Sequence, residues 1–321
     1  MKRRLGPKLL VFVLVVSVLQ VVAFHHYNAV LGSADSLTKL VSLKHKTATV
    51  TDEQKAKQRL ARIQKDYPIV DVSPNGVYAA YVNSANLVRV VNLDTGDELS
   101  HYAESGQVVY VSWIRNDQLF VGLRPVPGEL QLTTLVANSG QSRLIHTYQA
   151  PANATFYKIT DSYLTNDTYV LIANSTASAV YHWDTDGNEN RVHLGGVYVK
   201  NVAVSLTHDI LYYEAYYNGT FNVNAEDNGT ITTIQPNGAL IDVVNDTLYY
   251  GTINSQGLVT AVYRYDASTQ ARKLMVTLAV PTLAEKISVT PTGKVVVHRN
   301  LPQNLVPPSA FSTTYSSSSS S

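Results

Sequence analysis

A recurring pair of turns constrains this chain more than any other feature. Across residues 67–299 an apolar run, a tight polar turn and a second apolar or aromatic run recur six times. The turns are Ser73-Pro74-Asn75-Gly76, Arg115-Asn116-Asp117, Thr165-Asn166-Asp167, Thr207-His208-Asp209, Val244-Asn245-Asp246 and Thr290-Pro291-Thr292-Gly293. Their last residues are 37 to 50 positions apart. A second turn alternates with the first, at Asn92-Leu93-Asp94-Thr95-Gly96, Ala137-Asn138-Ser139-Gly140, Asp184-Thr185-Asp186-Gly187 and Glu226-Asp227-Asn228-Gly229, with a looser copy at Asp266-Ala267-Ser268-Thr269. Asn-Gly and Asp-Gly pairs supply the positive φ that tight hairpins need. Each period therefore holds two hairpins and four strands. A four-stranded unit repeating every 40 to 45 residues or so is the spacing of a β-propeller, in which each sheet buries its faces only against its neighbours.

The first repeat carries a resemblance. Asp71-Val72-Ser73-Pro74-Asn75-Gly76-Val77-Tyr78-Ala79-Ala80-Tyr81, followed by Val88-Arg89-Val90-Val91-Asn92-Leu93-Asp94-Thr95-Gly96, resembles a blade of the TolB-like and dipeptidyl-peptidase-type propellers. Such blades run Ser-Pro-Asp-Gly, a Tyr-rich strand, and a strand ending Asp-x-x-Thr-Gly. Thr290-Pro291-Thr292-Gly293 matches in part, and the middle repeats match in pattern only. The resemblance covers 67 to about 299 and implies an all-β propeller of six four-stranded blades. Only five second turns exist, so the last blade is expected to be incomplete, or closed by the flank before the first blade, around 46–51. The hydrolase domain of the peptidases has no counterpart here, nor has a Gly-x-Ser-x-Gly nucleophile elbow, so peptidase activity does not carry over.

Charge divides the chain. Residues 1–66 hold 12 Lys/Arg against 4 Asp/Glu, and residues 67–321 hold 13 against 20. Residues 1–8 form a basic segment (Lys2, Arg3, Arg4, Lys8) ahead of the apolar run 9–24. Sixteen residues at 1.5 Å each reach about 24 Å, short of a hydrocarbon core of about 30 Å. His25, His26 and Tyr27 would extend the span into the interface, giving a transmembrane signal anchor over 9–27. The basic flank places the N-terminus in the cytoplasm and the rest outside. The rival is a cleaved signal and a secreted chain, with Gly32-Ser33-Ala34 as a late cleavage site. Residues 28–66 form a linker. Within it, Thr51 and Gln54 fit a capping box for an amphipathic helix over 52–65, ended by Pro68. That helix is either a stalk or docking element, or a solvated helix packed by one edge on the domain. The propeller is expected over 67–300, and the Pro/Ser-rich 301–321 as a disordered tail.

A net charge of +1 excludes a chain-wide basic footprint for nucleic acid. With no cysteine there is no disulfide framework, thiolate metal site or thiol nucleophile. Asp184-Thr185-Asp186-Gly187-Asn188 has its glycine in the wrong place for a calcium loop and is assigned to a hairpin turn. No cofactor and no metal site is expected. Of the 21 tyrosines, the pairs Tyr212-Tyr213, Tyr216-Tyr217 and Tyr249-Tyr250 are either platforms for sugars or peptides or sheet-packing residues.

In such propellers the loops joining second and third strands share the usual ligand face. Here they fall near 83–86, 124–129, 174–177, 216–219 and 254–257. Arg124, Tyr216 and Tyr217 are the candidate ligand-binding residues. The function expected is a membrane-anchored, extracytoplasmic, non-catalytic binding module for a protein or cell-envelope polymer. The alternative is a lactonase- or glycosidase-like propeller enzyme with carboxylates such as Asp71 and Asp242, or a metal, in the central channel.

Overall fold

The computed structural model describes residues 50–298 except 104, 152, 163 and 185. The basic segment 1–8, the anchor 9–27, the first part of the linker and the tail 301–321 lie outside the described residues. Among the described residues no helix is long and apolar enough to cross a membrane. The chain divides into two compact units, Met1–Gln58 and Arg59–Ser321. Of the first, only the beginning of helix α1 (Val50–Asp66) is described, with exposed ion pairs Lys55–Asp52 and Lys57–Glu53 along it. The helix was expected over 52–65. It already includes Thr51, so Thr51 is not its cap, and Val50 and Thr51 cannot serve as a closing strand.

All the strands lie in the second unit, in six antiparallel sheets among the described residues. Sheet 1 is β1 (Val70–Val72), β2 (Tyr78–Val82), β3 (Val88–Asn92) and β4 (Glu98–Tyr102). Sheet 2 is β5 (Gln107–Arg115), β6 (Gln118–Arg124), β7 (Glu129–Val136) and β8 (Ser142–Gln149). Sheet 3 is β9 (Thr155–Asp161), β10 (Thr168–Ala173), β11 (Ser178–Trp183) and β12 (Glu189–Arg191). Sheet 4 is β13 (Tyr198–Val204), β14 (Ile210–Tyr217), β15 (Thr220–Asp227) and β16 (Thr230–Gln235). Sheet 5 is β17 (Gly238–Val244), β18 (Thr247–Ile253), β19 (Val259–Asp266) and β20 (Ala271–Thr282). Sheet 6 is β21 (Ile287–Val289) and β22 (Val295–Val297), preceded by a short 3-10 helix, Ala284–Lys286. Each of the first five is a meander in chain order, and each expected turn joins the strands it was expected to join. Positive φ falls at Gly76, Gly96, Gly140, Gly187, Gly229 and Gly293, and at Asn166, Asn245 and Asp246.

The sheets are stacked through their first strands: β1 touches β5, β5 touches β9, β9 touches β13, β13 touches β17 and β17 touches β21. The buried apolar residues sort into five clusters, one per seam. Val90 and Val88 meet Val111, Leu119 and Leu135 between sheets 1 and 2. Leu130, Leu132 and Tyr148 meet Phe156 and Val170 between sheets 2 and 3. Leu171 and Val180 meet Val202 and Leu211 between sheets 3 and 4. Tyr212 and Val223 meet Leu240 and Tyr250 between sheets 4 and 5. Tyr249 and Val262 meet Ile287 and Val289 between sheets 5 and 6. Side chains alternate across each strand, so every middle sheet feeds two clusters, one from each face.

The opposite face of sheet 1 is covered differently. Tyr67 stacks on Tyr81 at 4.6 Å. Arg59, in the second half of α1, donates from Nη1 to the carbonyls of Leu93 at 2.6 Å and Asp94 at 2.5 Å. Ala79 and Leu93 are fully buried. From Arg59 onward, the helix is therefore packed on the domain.

Gly122 marks how closely sheets 2 and 3 approach. A methyl group there would fall on the Phe156 ring and lie 2.8 Å from Tyr110 Cβ. Gly122→Ala is expected to cost about 1–3 kcal/mol by overpacking this seam. Denaturant unfolding checks it, and unchanged stability would mean the seam is looser than described.

Candidate functional site

The five strand-to-strand contacts leave a cavity of about 200 Å³ between the first strands. All six sheets, with their leading segments, contribute to it. Pro68 and Ile69 come from the approach to β1, Val109, Tyr110 and Val111 from β5, and Thr155 to Lys158 from β9. Lys200 and Asn201 come from β13, Leu240 and Ile241 from β17, and Ala284, Glu285 and Ile287 from the 3-10 helix and β21. It lies towards the N-terminal ends of these strands. In a meander that is also the end where second strands turn into third strands, so cavity and predicted ligand loops share one side.

A repeated backbone irregularity shapes the lining. Towards the N-terminal ends of the first strands, the pairing of first with second strand skips one residue in four sheets: Val109 in β5, Tyr157 in β9, Lys200 in β13 and Ile241 in β17. All four line the cavity. A bulge puts an extra residue on one strand and breaks strict alternation. Consecutive residues, such as Tyr157-Lys158 and Lys200-Asn201, thus line the same space.

The polar core of the cavity is an ion triad. Lys200 Nζ lies 3.0 Å from Glu214 Oε1 and 2.9 Å from Glu285 Oε1. Glu214, only 1% exposed, accepts the Leu240 N–H on its other oxygen at 2.9 Å. Burial opposes the charge on Lys200, but the two carboxylates outweigh it and hold the ammonium above its usual range. Burial pushes the Glu214 carboxyl up despite Lys200. Because Lys200 is in sheet 4 and Glu285 precedes sheet 6, the triad spans sheet 5 across the cavity.

Three further polar groups are left over. The Tyr157 hydroxyl and Glu285 Oε2 are buried without a hydrogen-bond partner. Lys158 has no ion pair or hydrogen bond among the described residues. Burial lowers its ammonium pKa, and Asp242 and Glu214 pull it back up.

Asp71 and Asp242, the carboxylates expected in an enzyme channel, are not in the lining. Asp71 accepts the Val72 N–H on Oδ1 at 2.9 Å and the Trp113 N–H on Oδ2 at 2.8 Å, pinning β1 to β5. Asp242 Oδ1 accepts the Val243 N–H at 2.9 Å. Asn201 uses the same device, accepting the Val202 N–H and donating to the Leu240 carbonyl.

The three predicted ligand residues lie on the cavity side. Arg124, at the end of β6, donates from Nη2 to the Ala154 carbonyl at 2.6 Å and from Nη1 to Gln107 Oε1 at 3.4 Å, tying sheet 2 to the lead of sheet 3. Tyr216 and Tyr217, at the β14–β15 hairpin, are 44% and 58% exposed. Tyr216 packs edge-on against Phe221 at 5.2 Å, and Lys200 Nζ lies 5.4 Å from that ring, so one aromatic ring separates the hairpin from the triad. The other tyrosine pairs, Tyr212-Tyr213 and Tyr249-Tyr250, are buried packing residues.

Among the described residues, Asp167, His182 and Asp209 could hold a metal ion, with one ligand atom each inside 4.8 Å. They lie at the seam of sheets 3 and 4, outside the cavity lining. His182 Nε2 is 2.8 Å from Asp167 Oδ1, and the Tyr169 hydroxyl donates to Asp209 Oδ1 at 2.6 Å while its ring stacks on His182. The groups already satisfy one another as a stitch between sheets.

Sequence reasoning missed Tyr157, Lys158, Lys200, Glu214 and Glu285. The available signal was a charge inside an apolar strand, as in Tyr212-Tyr213-Glu214-Ala215.

No family model matches the chain, and no curated protein matches it by sequence. Solved structures do match. An oligogalacturonate lyase in complex with manganese superposes with a TM-score of 0.52 at 13% identity, over 70% of this chain and 71% of that one. A chain of the mitotic checkpoint complex gives 0.53 at 14% identity, over 73% of each chain. A prolyl endopeptidase gives 0.51 at 14% identity over 69% of this chain, which spans only 35% of that protein's length. The chain has the β-propeller fold these comparisons share with its strand order.

Asp71 gives the fold a pH signature. Burial raises its carboxyl to about 6, against the two backbone N–H groups and Ser112. The folded state then binds this proton more tightly than the unfolded chain. The stabilisation is full below about pH 4 and is lost as pH rises through about 6. Relative to Asp71→Asn, the wild-type chain is expected to lose stability between pH 4 and pH 6, measured by denaturant unfolding at each pH. A difference that does not vary with pH would refute this role.

Proposed function

We propose that the chain is a membrane-anchored, extracytoplasmic propeller of six blades, the last one short, that acts as a non-catalytic binding module for a protein or cell-envelope polymer. Its ligand face is the side carrying the cavity, the β14–β15 hairpin with Tyr216 and Tyr217, and the Arg124 loop. One observation carries the reading: a cavity bordered by all six sheets keeps unpaired polar atoms, the Tyr157 hydroxyl and Glu285 Oε2, while Asp71 and Glu214 have both carboxylate oxygens engaged. Such a site is equipped to recognise polar groups. The basic segment and apolar run at 1–27 support the anchor and orientation.

The alternative is a channel enzyme, favoured by the resemblance to a manganese-bound lyase and by Lys158 in the cavity lining, whose ammonium pKa burial lowers. Asp71, with both oxygens taken up by backbone N–H groups, and the absence of Asp71 and Asp242 from the cavity lining weigh against it.

The full-length chain is expected in the membrane fraction, with the propeller open to protease only from outside. It should also be retained on insoluble cell-envelope polymer or on immobilised envelope protein. Tyr216→Ser/Tyr217→Ser, at exposed positions, should cut retention about tenfold or more without lowering the melting temperature. Equal retention by this variant, a cytosolic location, or turnover of an envelope polymer would each overturn the proposal.

A further inference from the structure

Resting on that reading of the cavity as the binding place, the geometry points to a neutral sugar unit, hydroxyl-rich and uncharged, as the group it receives. We draw this from the balance between charge and hydrogen-bonding capacity around the cavity.

Charge is already compensated. Lys200 faces two carboxylates at 3.0 and 2.9 Å. Glu285 has Lys200, and Lys158 feels Asp242 and Glu214 at longer range. With Lys158 and Lys200 positive and Glu214 and Glu285 negative, these four groups sum to zero. A charged ligand would upset that balance in a poorly screened space. Hydrogen-bonding capacity is not compensated. Glu285 Oε2 is a buried acceptor with nothing to accept and the Tyr157 hydroxyl is buried with no partner; beside them the Lys158 ammonium, which lines the cavity, makes no hydrogen bond or ion pair among the described residues. Leaving the two buried atoms unmet costs about 1–3 kcal/mol each. A ligand that brings hydrogen bonds and no charge removes those costs. Adjacent hydroxyls do this well, since each both donates and accepts.

The walls and the size agree. Tyr110, Phe156, Ile241 and Ile287 give the cavity apolar surface against which the C–H faces of a sugar ring can pack. A cavity of about 200 Å³ is smaller than the usual 300–1,000 Å³ ligand pocket, which suits one sugar unit. The remainder of a chain would pass out over Tyr216 and Tyr217.

The test uses the full-length chain in detergent, with saturation-transfer NMR and calorimetry. The probes are glucose, galactose and N-acetylglucosamine, with galacturonate as the anionic counterpart and glycylglycine as the peptide one. At least one neutral sugar is expected to bind, and galacturonate and glycylglycine to bind about tenfold more weakly or not at all. Lys158→Met and Tyr157→Phe each delete hydrogen-bonding atoms and keep the bulk, so each should weaken sugar binding about tenfold or more. Because they remove unsatisfied polar atoms, neither should lower the melting temperature. A merely structural role would show the reverse, a lower melting temperature. No binding of a neutral sugar at tens of millimolar, a preference for galacturonate or glycylglycine, or variants that bind as well as wild type would overturn the inference. If the sugars fail while Tyr216→Ser/Tyr217→Ser still loses envelope retention, the binding-module reading stands and the sugar assignment alone falls.

Discussion

A four-stranded sheet has two faces to cover, and in this protein nearly all the cover comes from the next sheet. The five apolar clusters are five seams, and no middle sheet could keep its apolar residues dry without both neighbours. The first strands therefore have to converge. Convergence brings six strand segments around one small space, and whatever side chains they carry there become the cavity. The fold thus produces the site as a by-product of burying sheets. Sheet 1 departs from the rule, because Arg59 in the second half of α1 and Tyr67 just after it cover its second face.

Convergence also forces charge into a confined space, where burial of an unpaired ion is prohibitive. Lys200 resolves this by taking two carboxylates, one from the adjacent strand β14 and one from across the cavity. Such a triad is weak evidence for net stability, since desolvation offsets much of the attraction. Its geometric consequence is firmer. It ties sheet 4 to sheet 6, which among the described residues has two strands and one seam cluster. Seams are further stitched by single polar contacts, such as Trp183 Nε1 to the Tyr148 hydroxyl and Asp246 to the backbone of Leu206 and Thr207.

Much of the architecture was legible because tight turns are local. Asn245-Asp246 and Gly229 adopt positive φ for reasons contained in a few residues, so their positions and alternation could be read without knowing what packs on what. The start of α1 was misjudged because Thr51 looked like a cap in isolation, yet the helix begins at or before Val50. Arg124, Tyr216 and Tyr217 could be named as candidates because they fall at loops joining second and third strands, which turn spacing alone locates. Lys158, Lys200 and Glu285 could not. Strand alternation assigns neighbours to opposite faces, and the bulges at Val109, Tyr157, Lys200 and Ile241 break that assignment.

By itself the amino-acid sequence determined the turn positions, the four-strand period and the class of fold, because positive-φ turns and apolar alternation are set by near neighbours. Only the tertiary structure decided which residues line the cavity and which carboxylates are spent. Glu285 meets Lys200 from a segment 85 positions later, and Asp71 is claimed by the Trp113 N–H of the next sheet. Those pairings depend on where bulges shift the register and on how sheets approach, and neither is encoded in any short stretch of chain.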